Sequence, residues 1–127
     1  MGLRWLLFKP RPLGAQGERI AARFLRRQGY RITGRNVHTG RYEIDIVAEE
    51  GDTLVFVEVK TRRSAEFAAP EANITYQKRQ HLRRAAKYYL ATHDLHDRYC
   101  RFDVVTVVVP QSGRPQVTLY RNAFPDA

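Results

Sequence analysis

The segment 54-LVFVEVKTR-62 decides the fold, because it has the pattern of a hydrophobic strand and yet carries two charged residues in its second half. A strand places alternate side chains on opposite faces. One face of this segment holds only valines, namely Val55, Val57 and Val59. The other face begins with apolar residues and ends with Glu58 and Lys60. Burial alone does not require a carboxylate and an ammonium here, so we expect a chemical role for this end of the strand.

A second strand precedes this segment and is predicted over residues 42–48, with a turn centred on Gly51 and Asp52 between the two. Glycine and aspartate favour such turns. Alternation predicts one apolar face and one acidic face for this strand. The apolar face holds Tyr42, Ile44 and Ile46, and the acidic face holds Glu43 and Asp45.

The register of this hairpin follows from its apolar pattern, since a slip of one residue would separate the apolar side chains of the two strands. In that register Asp45 lies opposite Glu58, and Glu43 lies opposite Lys60. Directly opposed residues have Cβ atoms about 4.5–5.5 Å apart, and two carboxylates so close repel each other. A divalent cation removes that repulsion, and carboxylate oxygens suit Mg²⁺ or Mn²⁺. The alternative is a solvated cluster with a weak ion pair between Glu43 and Lys60.

The remaining pattern predicts a mixed sheet with helices on its faces. Residues 102–109 are apolar on both faces, which is typical of a central parallel strand. The helix before it is then the crossover between parallel strands. We therefore expect one α/β domain over residues 14–127, with an extra C-terminal edge strand, after an N-terminal extension of residues 1–13. The predicted elements are helix 14–29, a short strand from residue 30 with Gly34 and Asn36 as breakers, strands 42–48 and 54–61, helix 76–92, and strands 102–109 and 117–120.

The composition favours a polyanionic partner. The 127 residues include 22 Lys and Arg against 13 Asp and Glu, which gives a net charge of +9. A positive excess of this size usually indicates nucleic acid. Cys100 has no second cysteine to pair with, which favours a reducing, cytoplasmic compartment. The apolar segment 5-WLLF-8 is too short to span a membrane; it is either a packing patch or a subunit contact, so a homodimer remains an open alternative.

Two charged residues interrupt the apolar stripes of the predicted helices. Glu18 shares a helical face with Leu25, and Lys78 lies one turn before Leu82 on the inward stripe of the second helix. Glu18 either contributes to the acidic site or is stabilised by the helix dipole. Lys78 either reaches a bound phosphate or extends its ammonium to solvent.

Several motifs along the chain carry a resemblance to a known family, namely 17-GE-18, 43-EIDIVA-48, 55-VFVEVKTR-62, 74-IT-75 with Lys78, and 101-RFDVV-105. In these motifs the chain resembles the YraN-like family of small bacterial proteins, within the PD-(D/E)XK nuclease superfamily, and more distantly the archaeal Holliday junction resolvases. This resemblance implies a restriction-endonuclease-like αβββαβ core. Two departures are Tyr42, where the family usually has glycine, and the lack of a proline before Asp45.

The resemblance also implies roles for individual residues. Asp45 and Glu58 correspond to metal ligands, together with the main-chain carbonyl of Val59. Lys60 corresponds to the catalytic lysine, and Glu18 to a glutamate carried by the first helix. The implied activity is Mg²⁺- or Mn²⁺-dependent hydrolysis of phosphodiester bonds in branched or junction DNA, with DNA preferred over RNA as the expected substrate.

Phosphates next to the cleaved one are expected to contact four basic residues, and phosphate contacts position a nucleic acid without reading its sequence. These residues are Arg62, Arg63, Lys78 and Arg79. Two other functions remain open. One is a non-catalytic nucleic-acid-binding module that retains the nuclease fold, and the other is a protein-interaction subunit that uses residues 5–8 or the edge strand near Val117.

Overall fold

The computed structural model describes residues 12–64 and 74–125. The predicted 5-WLLF-8 patch, and with it most of the proposed extension 1–13, lies outside the described residues. The predicted order of helices and strands is confirmed. The elements are α1 (Leu13–Arg27), β1 (Arg31–Thr39), β2 (Tyr42–Glu50), β3 (Thr53–Arg62), α2 (Tyr76–Thr92), β4 (Cys100–Val108) and β5 (Gln116–Tyr120).

The strands form one five-stranded sheet in the order β1-β2-β3-β4-β5. β3 and β4 are parallel, as the doubly apolar pattern of β4 predicted, and the other neighbours are antiparallel. α2 lies in the chain between the two parallel strands, and β5 is the extra C-terminal edge strand. In the described residues the fold is thus the predicted mixed α/β sheet with two helices, consistent with a restriction-endonuclease-like core.

Each face of the sheet carries its own hydrophobic cluster. α1 buries Ala21, Ala22 and Leu25 against one face, and α2 buries Leu82 and Tyr89 among the residues of the other. β4 contributes to both clusters, because Val104 belongs to the α2 side and Val105 to the α1 side. Among the described residues, no helix is long and apolar enough to cross a lipid bilayer.

The β2–β3 hairpin has the predicted register where its strands are paired, from Glu50–Thr53 to Ile46–Val57. The predicted apolar face of β2 is wrong at one position. Ile46 packs in the α1-side cluster, whereas Ile44 packs in the α2-side cluster. The alternation of β2 therefore changes phase at Asp45, just beyond the end of its regular pairing with β3.

β1 is longer than the short strand that the sequence predicted. Gly34 and Asn36 lie inside it rather than ending it. The pairing with β2 is irregular between Ile32 and Gly34, and Asn36 has a positive φ of 49°. A bulge of this kind lets a strand continue through residues that are unfavourable in a regular strand.

A buried polar network closes the end of the sheet where β4 begins, and the sequence patterns did not reveal it. Asp103 is fully buried and accepts hydrogen bonds from the Tyr30 hydroxyl at 2.8 Å, the Arg101 Nε at 3.0 Å and the Asn122 N–H at 2.9 Å. Arg101 also donates to Glu50 at 2.7 Å. Burial and the bond to Asp103 raise the pKa of Tyr30 to about 12. This network satisfies a carboxylate that would otherwise be costly to bury.

Candidate metal centre

The metal centre predicted from the hairpin lies where β2 and β3 part. Beyond Ile46–Val57 the regular pairing stops, and the Asp45 Oδ2 accepts a hydrogen bond of 2.8 Å from the Val59 N–H. The N–H and C=O groups of one residue in a strand point to the same neighbour. The carbonyl of Val59 is therefore turned toward β2, on the side of Asp45, as a shared ligand position requires.

Three carboxylates from two elements converge at this point. One carboxylate oxygen from each of Glu18, Glu43 and Asp45 lies within 4.8 Å of the other two. Burial raises the pKa of Glu18, and the charges of Asp45 and Glu43 raise it further, against a smaller opposing hydrogen bond from Asn36. Such a cluster of hard oxygen donors matches the ligand preference of Mg²⁺ and Mn²⁺.

Glu58 is outside this group of three. Its side chain is buried, with 7% of the residue exposed. Burial raises the pKa of Glu58 to about 7, and the charge of Asp45 adds to the effect, while Lys78 and Lys60 oppose it. The charge of Asp45 therefore acts on Glu58, although the regular pairing of β2 and β3 ends before these two residues.

The first turn of α2 brings Lys78 to Glu58. The Thr75 hydroxyl accepts a hydrogen bond of 3.1 Å from the Lys78 N–H and caps the helix. The Lys78 Nζ then lies 3.5 Å from the Glu58 Oε2. The inward position of Lys78 in the helical pattern thus corresponds to a contact in the acidic site. The Lys78 side chain is 40% exposed, so it also faces solvent.

Gly17 explains how Glu18 reaches the site. Gly17 is buried, and a Cβ atom added to it would lie 1.8 Å from the Thr61 Oγ1. Only glycine therefore permits α1 to approach β3 this closely. This close contact of α1 with β3 places the next residue, Glu18, near the carboxylates of β2.

The predicted pair of Glu43 and Lys60 is wrong. Glu43 lies near Glu18 and Asp45, and its carboxylate is 3.9 Å from the His38 Nδ1, a contact that is an ion pair only when the imidazole is protonated. The reason is that regular β2–β3 pairing ends before these positions. Lys60 remains on the face of Glu58, half-buried, and its charge lowers the pKa of that carboxyl group.

The four predicted phosphate contacts separate into two groups. Lys78 lies in the site, and Arg62 and Arg63 follow Lys60 at the end of β3. Their guanidinium groups donate to the main-chain carbonyls of Thr61 at 2.9 Å and Val109 at 3.3 Å, respectively. Arg79 instead places its guanidinium carbon 5.8 Å from the centre of the Phe124 ring.

A cleft of about 370 Å³ opens beside Asp45. Sequence reasoning did not assign Glu43, Arg41 or His81 to it. The spacing of Glu43 and Asp45, two residues apart in one strand, was the available signal for Glu43. The other two positions depend on how α2 packs beside β2, which no local pattern reveals. The residues that line the cleft are Arg41, Tyr42, Glu43, Asp45, Lys78, His81 and Leu82.

The chain is similar to many bacterial proteins over most of its length. The model of the family described as "Uncharacterised protein family UPF0102" matches residues 17–107. A UPF0102 protein of Syntrophomonas wolfei is 44% identical over 114 residues, which cover 90% of this chain and 98% of the relative. A UPF0102 protein of Symbiobacterium thermophilum is 46% identical over 114 residues, with 90% and 97% covered. One of Nitratidesulfovibrio vulgaris is 51% identical over 94 residues, with 74% and 70% covered.

The matched range includes every residue of the candidate centre, from Glu18 in α1 to Lys78 in α2. It also includes the buried Asp103 of β4. The chain therefore belongs to the UPF0102 family, the YraN-like family that its motifs resemble.

Proposed function

We propose that this protein is a metal-dependent nuclease that hydrolyses phosphodiester bonds, with branched or junction DNA as the expected substrate. The observation that carries the proposal is the convergence of three carboxylates, Glu18, Glu43 and Asp45, with the buried Glu58 under the influence of Asp45, in a protein of net charge +9. A surface that only binds polyanions gains nothing from such a cluster. A divalent cation bound among the carboxylates would offset their negative charge, so that the site could bind a phosphate.

The donor set fits Mg²⁺ or Mn²⁺, because it consists of carboxylate oxygens and the Val59 carbonyl on the same side of β3. Asp45 connects the two parts of the site. Its carboxylate lies within 4.8 Å of those of Glu18 and Glu43, and its charge raises the pKa of Glu58. When bound there, the ion would polarise a phosphoryl oxygen and lower the pKa of a water molecule.

The basic residues of the site have separate tasks in this mechanism. Lys60 lies beside Glu58 and orients the attacking water while it offsets the negative charge that develops in the transition state. Lys78 holds Glu58 and places a second positive charge at the mouth of the site. Arg62 and Arg63 donate to main-chain carbonyls and form no described ion pair with a carboxylate, so their charge is available for neighbouring phosphates.

The second candidate function is a nucleic-acid-binding module without catalysis. The observation in its favour is the contact of 3.5 Å between Lys78 and Glu58, because an internal ammonium partly takes the place of a metal ion. The two functions differ in their need for divalent cations. The nuclease requires Mg²⁺ or Mn²⁺, whereas the module binds DNA equally well in EDTA.

The test is to titrate Mg²⁺ or Mn²⁺ into the protein while following cleavage of branched, duplex and single-stranded DNA. Asp45→Asn is expected to abolish cleavage and to weaken Mn²⁺ binding in calorimetry. Asp52→Asn is the matched control, since Asp52 is an exposed acid in the turn at the far end of the hairpin. Equal Mn²⁺ affinity in Asp45→Asn and the parent would remove Asp45 from the ligand set. Bound metal without cleavage of any substrate would favour the binding module.

A further inference from the structure

A pair of stacked rings forms one wall of the cleft beside Asp45. Tyr42 is the first residue of β2, and His81 lies one turn after Lys78 on α2. Their ring centroids are 4.7 Å apart and the rings are inclined by 25°. Both side chains are partly exposed and line the same cleft as Asp45 and Lys78. The rings therefore stand at the mouth of the candidate metal centre.

Cationic side chains surround the ring pair. The Arg84 Nη1 donates to the Tyr42 hydroxyl at 3.4 Å, and this contact lowers the pKa of that hydroxyl. Arg41 lines the cleft next to Tyr42. An aromatic surface flanked by guanidinium groups is the combination that holds single-stranded nucleic acid, because bases stack on the rings while the cations contact phosphates.

We propose that Tyr42 and His81 form a stacking subsite for one unpaired nucleobase next to the phosphate bound in the cleft. The subsite rests on the nucleic-acid-binding function proposed above, and it names a substrate class for it. Lys78 contacts the phosphate, and the ring pair, one helical turn away, receives the adjoining base. Arg41 and Arg84 contact the next phosphates.

The subsite explains how a protein that contacts phosphates can select the structure of its substrate. A base inside a duplex is covered on both faces by its neighbours, so it cannot stack on a protein ring unless it leaves the helix. A base at a gap, a flap or a branch point lacks one stacking neighbour. It therefore stacks on the ring pair at a lower cost in free energy. The preferred substrates are therefore duplexes that carry an unpaired nucleotide beside the cleaved bond.

The experiment measures binding, so it does not depend on catalysis. The probe is a DNA duplex with a single-stranded flap, with 2-aminopurine as the first unpaired nucleotide, and the matched probe has an abasic site at that position. Binding is followed in Ca²⁺ by fluorescence anisotropy. The parent is expected to bind the base-containing probe about 5- to 150-fold more tightly, the range for stacking of one base on an aromatic side chain. Stacking is also expected to quench the 2-aminopurine fluorescence.

The variants assign the difference to the ring pair. Tyr42→Leu combined with His81→Leu is expected to bind both probes with the affinity that the parent has for the abasic probe. Tyr42→Phe retains the ring and loses the bond to Arg84, so it is expected to keep the preference for the base. Tyr99→Leu is the matched control, because Tyr99 is 80% exposed and precedes β4, outside the cleft.

Three results would overturn the proposal, and they are distinguishable from one another. If the parent binds both probes equally, the subsite is absent although nucleic-acid binding stands. If the double variant folds, as judged by its thermal transition, and still prefers the base, the rings are the wrong residues. If the parent binds neither probe, the proposed function fails and the subsite fails with it.

Discussion

Glu58 is a carboxylate that burial and the charge of Asp45 drive toward its protonated form, while Lys78 and Lys60 favour the ionised form. The balance leaves its pKa at about 7, against an ordinary value of 4.5. A carboxylate in this state is poorly satisfied without a cation. This single residue therefore links the stability of the protein to pH and, in the proposed function, to metal binding.

The pH dependence follows from the raised pKa. Between the ordinary value of 4.5 and about 7, native Glu58 holds a proton that the unfolded chain has released. The contribution of Glu58 to the free energy of unfolding therefore falls as pH rises through this window. In EDTA, we expect the stability of Glu58→Gln relative to the parent to increase between pH 4.5 and 7. Urea unfolding of both proteins across this range measures the difference, and a constant difference would contradict the raised pKa.

Substitutions of Lys60 distinguish a structural role of this lysine from a catalytic one. An exposed ion pair contributes about 0–1 kcal/mol, so a structural Lys60 would be almost silent when replaced. In the proposed mechanism, Lys60→Ala lowers single-turnover cleavage by about 10²-fold or more, while DNA affinity changes little. Lys60→Arg is expected not to restore the rate, because the planar guanidinium is larger and cannot occupy the same point.

The assay for Lys60 compares the parent and both variants at saturating enzyme and saturating Mg²⁺. Arg31→Lys is a control for general changes of a basic side chain, since Arg31 pairs with Glu49 at the other end of the sheet. Cleavage by Lys60→Ala at the parental rate would show that the lysine has no part in the chemistry.

At the scale of secondary-structure elements, the site depends on the close approach of α1 to β3. Gly17→Ala would force a Cβ atom into Thr61, with 1.8 Å to its Oγ1 before relaxation. We expect a loss of about 1–3 kcal/mol in the free energy of unfolding, the usual cost of overpacking. Metal affinity is expected to fall as well, because Glu18 moves away with the helix. Denaturant unfolding and Mn²⁺ calorimetry measure the two effects.

Gly14→Ala is the matched control for that substitution. Gly14 lies in the same helix and has nothing within 4 Å of an added Cβ atom. Alanine is favoured over glycine in a helix by roughly 0.5–1 kcal/mol, so this variant should not lose stability. Adding Thr61→Ala to Gly17→Ala removes the closest atom and should recover part of the loss. No recovery would mean that the steric contact is not the cause.

The elements also show which parts of the structure the sequence could predict. The turn at Gly51 and the alternation of β3 were sufficient to predict the register of the hairpin, because both are local signals. The phase change at Asp45 was not predictable, since it arises where β2 leaves β3. Glu43 was not predictable for the same reason. The alternation placed it opposite Lys60, whereas in the structure its carboxylate lies near those of Glu18 and Asp45.

At the scale of the whole molecule, the buried polar network and the candidate metal centre lie at opposite ends of the sheet. The network of Asp103, Tyr30 and Arg101 lies where β4 begins, and the candidate metal centre lies toward the end of β3. Asp103 was hidden in an apolar run, and its partners come from distant parts of the chain, so only the folded structure identifies them. The nucleic-acid partner expected from the net charge of +9 stays a prediction.

We expect DNA affinity to fall log-linearly with salt concentration, because binding releases counterions from each neutralised phosphate. A protein that neutralises about 6–10 phosphates loses roughly 10³–10⁵ in affinity between 50 and 200 mM salt. Arg63→Gln should reduce the slope by about one, whereas Arg31→Gln, at the end distant from the metal centre, should leave it unchanged. Anisotropy titrations at several salt concentrations provide the slopes. A flat dependence would exclude an interface dominated by phosphates.

The early end of the β2–β3 ladder allows the candidate metal centre to be tested by hydrogen–deuterium exchange. The Val59 amide is held by the Asp45 side chain rather than by a paired strand, so its protection depends on where that carboxylate points. Small local openings set the exchange rate at such positions. We expect fast deuterium uptake at Val59 in EDTA and slower uptake in Mn²⁺, while Val57, inside the ladder, stays protected in both. Equal uptake at Val59 with and without Mn²⁺, at concentrations where calorimetry detects binding, would place the metal elsewhere.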